Sequence, residues 1–170
     1  MPKAINHFHM DVATRISQQS QEPQGKYVGC LIVRGDQWLS YSYNGTLPGS
    51  DFDMRDENGN STEHVIHAEF TAIAKAAKHG ISLAGSDLYC THLPCISCAQ
   101  SARLAGVRRI VWKDWMKKST TIRNLIDMGF IVQRITEYGT EHSAAMFDIN
   151  PFGSATALPD QREPATHRSE

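Results

Sequence analysis

The residues of this chain best suited to chemistry form two short motifs, His67-Ala68-Glu69 and Pro94-Cys95-Ile96-Ser97-Cys98. One histidine and two cysteines supply three ligands for a zinc ion, and three protein ligands leave the fourth tetrahedral position to water, as in a catalytic site. A glutamate two residues after the histidine stands beside that water and can move its proton. These parts suit the hydrolytic deamination of a nucleobase, for which the pattern is a signature.

Each motif residue also has a simpler structural explanation when it is taken alone. An isolated histidine caps a helix or packs in a core, a Cys-x-x-Cys pair also occurs in redox sites and structural zinc sites, and an acidic residue is favoured in a first helical turn. A structural zinc site would need a fourth donor, and the nearby candidates are Cys30, Cys90, His64 and His92. Cys30 and Cys90 fall in predicted strands, where a buried cysteine behaves as a small hydrophobic residue. The complete pattern favours the catalytic site.

Composition restricts the class of protein. The chain has 170 residues, which suits one domain, and its formal net charge of −1 argues against a nucleic-acid partner held by general electrostatics. It has no apolar run long enough to span a membrane, and residues 1–10 lack the apolar core of a signal peptide. Without an export signal, Cys-x-x-Cys is more typical of a metal or redox motif than of a disulfide. We therefore expect a cytoplasmic protein without membrane association.

Hydrophobic periodicity and turn residues predict the elements that must position the motifs. The predicted helices cover about 8–22, 67–79, 95–105 and 119–128, and the predicted strands cover 27–33, 38–43, 86–91, 109–112 and 130–135. This order predicts an α/β fold, a three-layer α-β-α sandwich with a five-stranded mixed sheet. His67 and Cys95 open two of the helices, so two helix N-termini should face one metal. We predict a surface loop over 51–63, a catalytic domain over 1–150 and a polar, proline-containing tail over 151–170.

Beyond these motifs, the chain from about Phe8 to about Ile135 resembles the deoxycytidylate (dCMP) deaminases, particularly the compact enzymes of bacteriophages. The zinc motif is shared by the whole cytidine deaminase-like superfamily, whereas Tyr43-Asn44-Gly45-Thr46-Leu47-Pro48-Gly49 is typical of the deoxycytidylate branch. The resemblance implies a cytidine deaminase-like fold and the conversion of dCMP to dUMP and ammonia, which feeds thymidylate synthesis. It also implies that His67, Cys95 and Cys98 bind Zn²⁺ while Glu69 shuttles the proton.

The resemblance implies further roles outside the zinc motif. Asn44 would contact the deoxyribose hydroxyl, Pro94 would also contact the substrate, and the loop that begins with Asn44 and Gly45 would help to form a regulatory nucleotide site. Family members with that site are activated by dCTP, which Mg²⁺ accompanies, are inhibited by dTTP, and commonly form hexamers. A phage-encoded member would work in the host cytoplasm. Taken alone, Asn-Gly is an ordinary turn pair.

The chain departs from the family pattern in three places. Thr71 replaces the asparagine that often follows the motif glutamate, the segment Ser20-Gln21-Glu22-Pro23 lacks the usual basic residue, and the segment after Trp112 is short. Within that short segment, Lys117 and Lys118 are candidates for binding the 5′-phosphate, or they form a solvated basic cluster. The alternative functions are deamination of a 5-substituted dCMP, of dCTP, of a nucleoside or of nucleic acid, and a zinc-stabilised binding module without catalysis.

Overall fold

The predicted helices and strands all form in the computed structural model, which describes residues 2–114, 119–136 and 139–142. The elements in chain order are α1 (Pro2–Ser17), β1 (Gly29–Arg34), β2 (Gln37–Tyr43), α2 (Ala68–Lys78), β3 (Asp87–His92), α3 (Ile96–Leu104), β4 (Arg109–Asp114), α4 (Ser119–Asp127), β5 (Ile131–Thr136) and β6 (Gly139–His142). The sequence analysis did not predict β6, whose four residues offer neither a hydrophobic run nor an alternating pattern.

The strands form one mixed sheet in the order β2-β1-β3-β4-β5-β6. β1 pairs antiparallel with both β2 and β3, whereas β3, β4 and β5 are parallel, and β6 is antiparallel to β5. The parallel pairs are joined through α3 and α4, because parallel neighbours need a crossover connection. The five predicted strands are therefore confirmed as β1–β5, and β6 extends the sheet at its edge.

Helices cover both faces of the sheet, which confirms the predicted three-layer α-β-α fold. One face packs against α1 through a cluster that includes Met10, Ala13, Leu31, Tyr89 and Val111. The other face packs against α2, α3 and α4 through a larger cluster. Its members include Cys30, Ile32, Ala68, Ala72, Leu88, Cys90, Ala99 and Trp112. Because β1 is covered on both sides, its residues 30–33 are all apolar and buried.

Helix α1 lies unusually close to β1 at Gly29. A Cβ atom added at Gly29 would lie 2.0 Å from the backbone oxygen of Ala13 and 2.7 Å from the nitrogen of Ser17. Only glycine allows this approach without displacing the helix. The contact fixes the end of α1, and hence the start of the segment from Ser20 to Val28 that follows it.

Two of our predictions lie outside the described residues. They are the roles of Lys117 and Lys118, and the division of the chain into a domain over 1–150 and a tail over 151–170. Both stay predictions. Within 2–114, 119–136 and 139–142, no helix combines the length and the apolar character needed to cross a membrane.

Candidate active site

The three predicted metal ligands meet where two helices begin. His67 is the N-cap of α2 and Cys95 is the N-cap of α3, each with an extended backbone, so both helices start one residue later than predicted. Cys98 lies in the first turn of α3. Neither N-cap side chain bonds to its own helix, and both can therefore face the same point.

The distances among the three donors fit a tetrahedral zinc ion. Nδ1 of His67 lies 3.5 Å from Sγ of Cys95 and 3.5 Å from Sγ of Cys98. A tetrahedral zinc with a Zn–N bond of about 2.0–2.1 Å and Zn–S bonds of about 2.3 Å separates nitrogen from sulfur by about 3.5 Å. The backbone therefore holds the donors at the spacing that this metal requires.

The protonation of the two thiols also favours a cation. Hydrogen bonding from Cys98, together with His67, lowers the pKa of Cys95 to about 3. The neighbouring Cys95 sulfur raises the pKa of Cys98. A bound divalent metal deprotonates a coordinating thiol outright, so it would stabilise both sulfurs as thiolates.

Glu69 is buried beside the donor cluster rather than exposed on the helix surface. It lies in the first turn of α2, and only 4% of the residue is accessible to solvent. Burial raises the pKa of the Glu69 carboxyl above its ordinary value, although contacts with its own backbone, with His67 and with Cys90 oppose the shift. The alternative interpretation of Glu69 as a solvated first-turn acid is therefore wrong.

The residues considered as a fourth ligand lie elsewhere. Among the residues that the structure describes, His67, Cys95 and Cys98 are the only group of three or more His, Cys, Asp and Glu side chains placed to hold a metal ion. Cys30 and Cys90 are buried partners across β1 and β3. His64 stacks on Phe52, with ring centroids 4.1 Å apart. The cluster thus has three protein donors, the number typical of a catalytic zinc site.

Asn44 and Gly45 lie next to the donor cluster. Gly45 and Ile66 exchange two backbone hydrogen bonds, of 3.1 and 2.7 Å, and Ile66 directly precedes His67. Asn44 is buried, and its side chain accepts a bond from the Val28 amide at 2.9 Å while donating one to the Lys26 carbonyl at 3.0 Å. A carboxamide has two donor hydrogens and an oxygen with two lone pairs. Two of the four bonding positions of the Asn44 carboxamide are therefore used by the segment that precedes β1.

Pro94 is buried directly before Cys95. It leads the chain from the end of β3 into α3. Pro94 thus directly precedes a metal donor, whereas Asn44 precedes Gly45, which is bridged to the residue before His67.

A cavity of about 420 Å³ borders the Gly45–Ile66 bridge, since both residues line it. Neither the three donors nor Glu69 line it. The loop 44–50 forms one wall and the outer face of α2 forms another, with Phe70, Thr71, Ala74 and Lys75. The wall formed by α2 was not predicted from the sequence. The spacing of residues 70, 71, 74 and 75 could have predicted it, because these positions share one helix face. The buried alanines at 68, 72 and 76 lie on the opposite face.

The chain is similar to known proteins in sequence and in fold. A family described as "Cytidine and deoxycytidylate deaminase zinc-binding region" matches residues 3–114. ComE operon protein 2 of Bacillus subtilis (strain 168) is 30% identical over 113 residues, which cover 64% of this chain and 59% of that protein. The deoxycytidylate deaminase of Enterobacteria phage T2 is 36% identical over 59 residues, or 35% of this chain and 31% of that enzyme. This chain therefore spans less than two thirds of either relative.

A solved structure is similar over nearly its whole length. The dCMP deaminase of the cyanophage S-TIM5, crystallised in complex with dCMP and dUMP, is 30% identical to this chain. The similarity covers 77% of this chain and 96% of that one, with a TM-score of 0.70.

Removing any one donor should release the metal. We expect Cys98→Ala, Cys95→Ala and His67→Ala to lower the bound zinc from about one ion per chain to a small fraction of that, because two protein ligands hold zinc poorly. The measurement is zinc per chain by elemental analysis after dialysis. Cys30→Ala is the matched control, since it removes a buried thiol outside the cluster, and it should keep its zinc. Full zinc content in Cys98→Ala would contradict the assignment.

Proposed function

Because the chain belongs to the family of cytidine and deoxycytidylate deaminases with this zinc-binding region, we propose that it hydrolyses dCMP to dUMP and ammonia. The observation that carries the proposal is the placement of His67, Cys95 and Cys98 at zinc-binding distances beside the buried Glu69. The similarity to the cyanophage enzyme supports dCMP as the substrate. The product dUMP would supply thymidylate synthesis.

Glu69 performs the proton transfers in this proposal. His67, Cys95 and Cys98 would hold the zinc, which would supply Lewis acidity and lower the pKa of water toward about 7. Glu69 accepts a proton from the attacking water and passes it to N3 of the cytosine ring. It then takes the remaining proton from the hydroxyl now on C4 and delivers it to the amino group, which leaves as ammonia while the C4=O bond forms. Its burial keeps the carboxyl in one position and away from bulk solvent.

Asn44 and Pro94 recognise the substrate in this proposal. The free half of the Asn44 carboxamide bonds to the deoxyribose hydroxyl, because its other half is already committed to Lys26 and Val28. Pro94 contacts the substrate from the turn before Cys95. In this proposal Pro94 approaches the nucleotide from the segment that carries Cys95, and Asn44 approaches it from the loop bridged to the residue before His67.

The alternatives fit the site less well. A zinc-stabilised binding module would use a fourth protein donor, and the residues that the structure describes place three in the cluster. A nucleic-acid deaminase would benefit from a basic surface, and the chain carries a formal net charge of −1. Deamination of 5-substituted dCMP or of dCTP uses the same chemistry, and the substrate panel described next separates these compounds.

Ammonia release from a panel of cytosine compounds tests the substrate. We expect turnover of dCMP, and much slower turnover of CMP, deoxycytidine, dCTP and short single-stranded DNA, because the proposed contacts select a deoxyribose monophosphate. Including 5-methyl-dCMP and 5-hydroxymethyl-dCMP measures how much space the pocket leaves at C5. Activity confined to the DNA would refute the proposal that a free nucleotide is the substrate. No activity on any compound in zinc-loaded protein would refute the proposal that the protein is a cytosine deaminase.

Glu69→Gln should separate metal binding from catalysis. We expect this variant to keep its zinc and to lose about 10²–10⁴-fold in kcat, the usual contribution of a positioned proton-transfer group. Zinc content and single-turnover rates on dCMP are measured together. Glu63→Gln is the matched control, since Glu63 is an exposed acid just before α2. Wild-type turnover by Glu69→Gln would rule out the proton-shuttle role.

The cavity beside the cluster is a candidate regulatory site. We propose that it binds dCTP with Mg²⁺ as an activator and dTTP as an inhibitor, in a homo-oligomer that we expect to be a hexamer. The loop 44–50 and Lys75 supply backbone and cationic groups around a space of about 420 Å³. Asn44 and Gly45 both line this cavity, and Gly45 also forms the backbone bridge to Ile66, the residue before His67. The effector and the substrate would therefore share one loop.

Saturation curves for dCMP test this regulation. We expect dCTP with Mg²⁺ to lower the substrate concentration at half-maximal rate and to reduce cooperativity, with dTTP acting in the opposite direction. Lys75→Ala should weaken both responses, because it removes the cation in the cavity wall. Lys78→Ala, one turn further along α2, serves as the control. Identical curves with and without dCTP in the wild-type protein would exclude the effector site.

A further inference from the structure

A buried ion pair outside the zinc motif joins two distant segments. Nε of Arg55 donates to Oε1 of Glu22 at 2.5 Å, and only 1% of the Glu22 side chain and 13% of the Arg55 side chain are exposed. Glu22 follows α1, whereas Arg55 lies in the segment 51–63 that was predicted as a surface loop. A buried carboxylate is costly unless it is paired and fully hydrogen-bonded, so its partners hold it firmly.

The second carboxylate oxygen of Glu22 organises the turn that leads to β1. Oε2 accepts the backbone amide of Gln24 at 3.1 Å and that of Lys26 at 2.7 Å. Burial would raise the pKa of Glu22, but the hydrogen bonds from Arg55, Lys26 and Gln24 lower it below its ordinary value. Glu22 is therefore a carboxylate around which residues 22–26 are folded.

Hydrogen bonds from both ends of the segment 20–26 hold Asn44. The amide of Lys26 donates to Glu22, and the carbonyl of Lys26 accepts a hydrogen bond from Nδ2 of Asn44 at 3.0 Å. At the other end, Oγ of Ser20 donates to the backbone oxygen of Asn44 at 2.9 Å and accepts the Glu22 amide at 3.3 Å. The rotamer of Asn44 is thus set by the backbone that Glu22 shapes.

Arg55 is itself fixed by the segment around it. Nη1 of Arg55 donates to Oγ of Ser61 at 2.7 Å, and Arg55 and Ser61 form a backbone bridge. A second link runs from Nε2 of Gln24 to the Gly59 carbonyl at 2.8 Å. The segment 51–63 is therefore fastened to the turn 22–26 and supports it from outside.

We propose that Glu22 and Arg55 are positioning residues for substrate binding, which orient the free half of the Asn44 carboxamide toward the sugar hydroxyl of dCMP. The inference rests on the proposed function, in which Asn44 contacts that hydroxyl. Glu22 and Arg55 act through Asn44, and the proposal gives them no contact with the reacting atoms. They set the affinity for the substrate and leave the chemical step unchanged.

The test compares dCMP with 2′,3′-dideoxycytidylate, which lacks the hydroxyl that Asn44 would bind. In Arg55→Gln we expect KM for dCMP to rise about tenfold, the loss of roughly one hydrogen bond, with kcat within about twofold of wild type. For the dideoxy compound, kcat/KM of variant and wild type should be equal, because the contact is missing in both. Arg55→Lys keeps the cation without the guanidinium geometry, so its KM for dCMP should lie between the values of wild type and Arg55→Gln. If Arg55→Gln does not fold, Arg55→Lys provides the test.

The matched control is Arg34→Gln. Arg34 also donates two hydrogen bonds, to the carbonyls of Ser82 and Ala84, at the end of β1 away from Asn44. Its loss should leave KM for both compounds unchanged. An equal loss of kcat/KM on dCMP and on the dideoxy compound in Arg55→Gln would overturn the proposal, since it would show a general structural defect.

Amide hydrogen exchange tests the same link without any substrate. The amides of Lys26 and Val28 bond to Glu22 and Asn44 respectively, and both should exchange faster in Arg55→Gln than in wild type or Arg34→Gln. Unchanged exchange at these two amides would overturn the proposal even if KM changed. If the wild-type protein does not turn over dCMP, the proposed function fails, whereas faster exchange would still establish that Arg55 holds this turn.

Discussion

The meeting of two helix N-termini at one metal-sized space is the constraint on which the rest of the structure depends. His67 and Cys95 must both be N-caps facing the same point, and small errors in either helix would spoil a tetrahedral site. Alanine makes this possible. The buried faces of α2 and α3 carry Ala68, Ala72, Ala99 and Ala102, which let the helices approach the sheet and each other closely. The polar residues needed for chemistry are then confined to the first turns.

The sequence was most informative where function depends on neighbouring residues. The donors and Glu69 lie within short motifs, so their spacing predicted the cluster, and the periodic segments predicted α1–α4 and β1–β5. The shift of α2 and α3 by one residue has a local cause, because an N-cap residue has an extended backbone that periodicity does not reveal. The β6 strand was missed because it is short and its pairing partner, β5, provides the only evidence for it.

Contacts between distant polar residues could not be predicted in the same way. Glu22 and Arg55 are 33 positions apart. In the sequence, each has the pattern of an ordinary charged residue in a polar segment. Their importance depends on burial, which the sequence does not reveal. An exposed ion pair contributes little to the free energy of unfolding, whereas separating a buried pair is costly. The same holds for Asn44. Its sequence context indicated a turn residue or a substrate contact, and its geometry accommodates both, because only half of its carboxamide is used internally.

The first turn of α2 separates the donor cluster from the cavity. Ala68 and Glu69 face inward, toward the core and the donor cluster, whereas Phe70 and Thr71 line the cavity outside. The loop that carries Asn44 and Gly45 lies against the same turn through the bridge to Ile66. An effector in the cavity, as proposed, would therefore reach the proposed substrate site through this short stretch of backbone. Any such coupling is reciprocal, so a nucleotide that tightens dCMP binding must itself bind more tightly when dCMP is present.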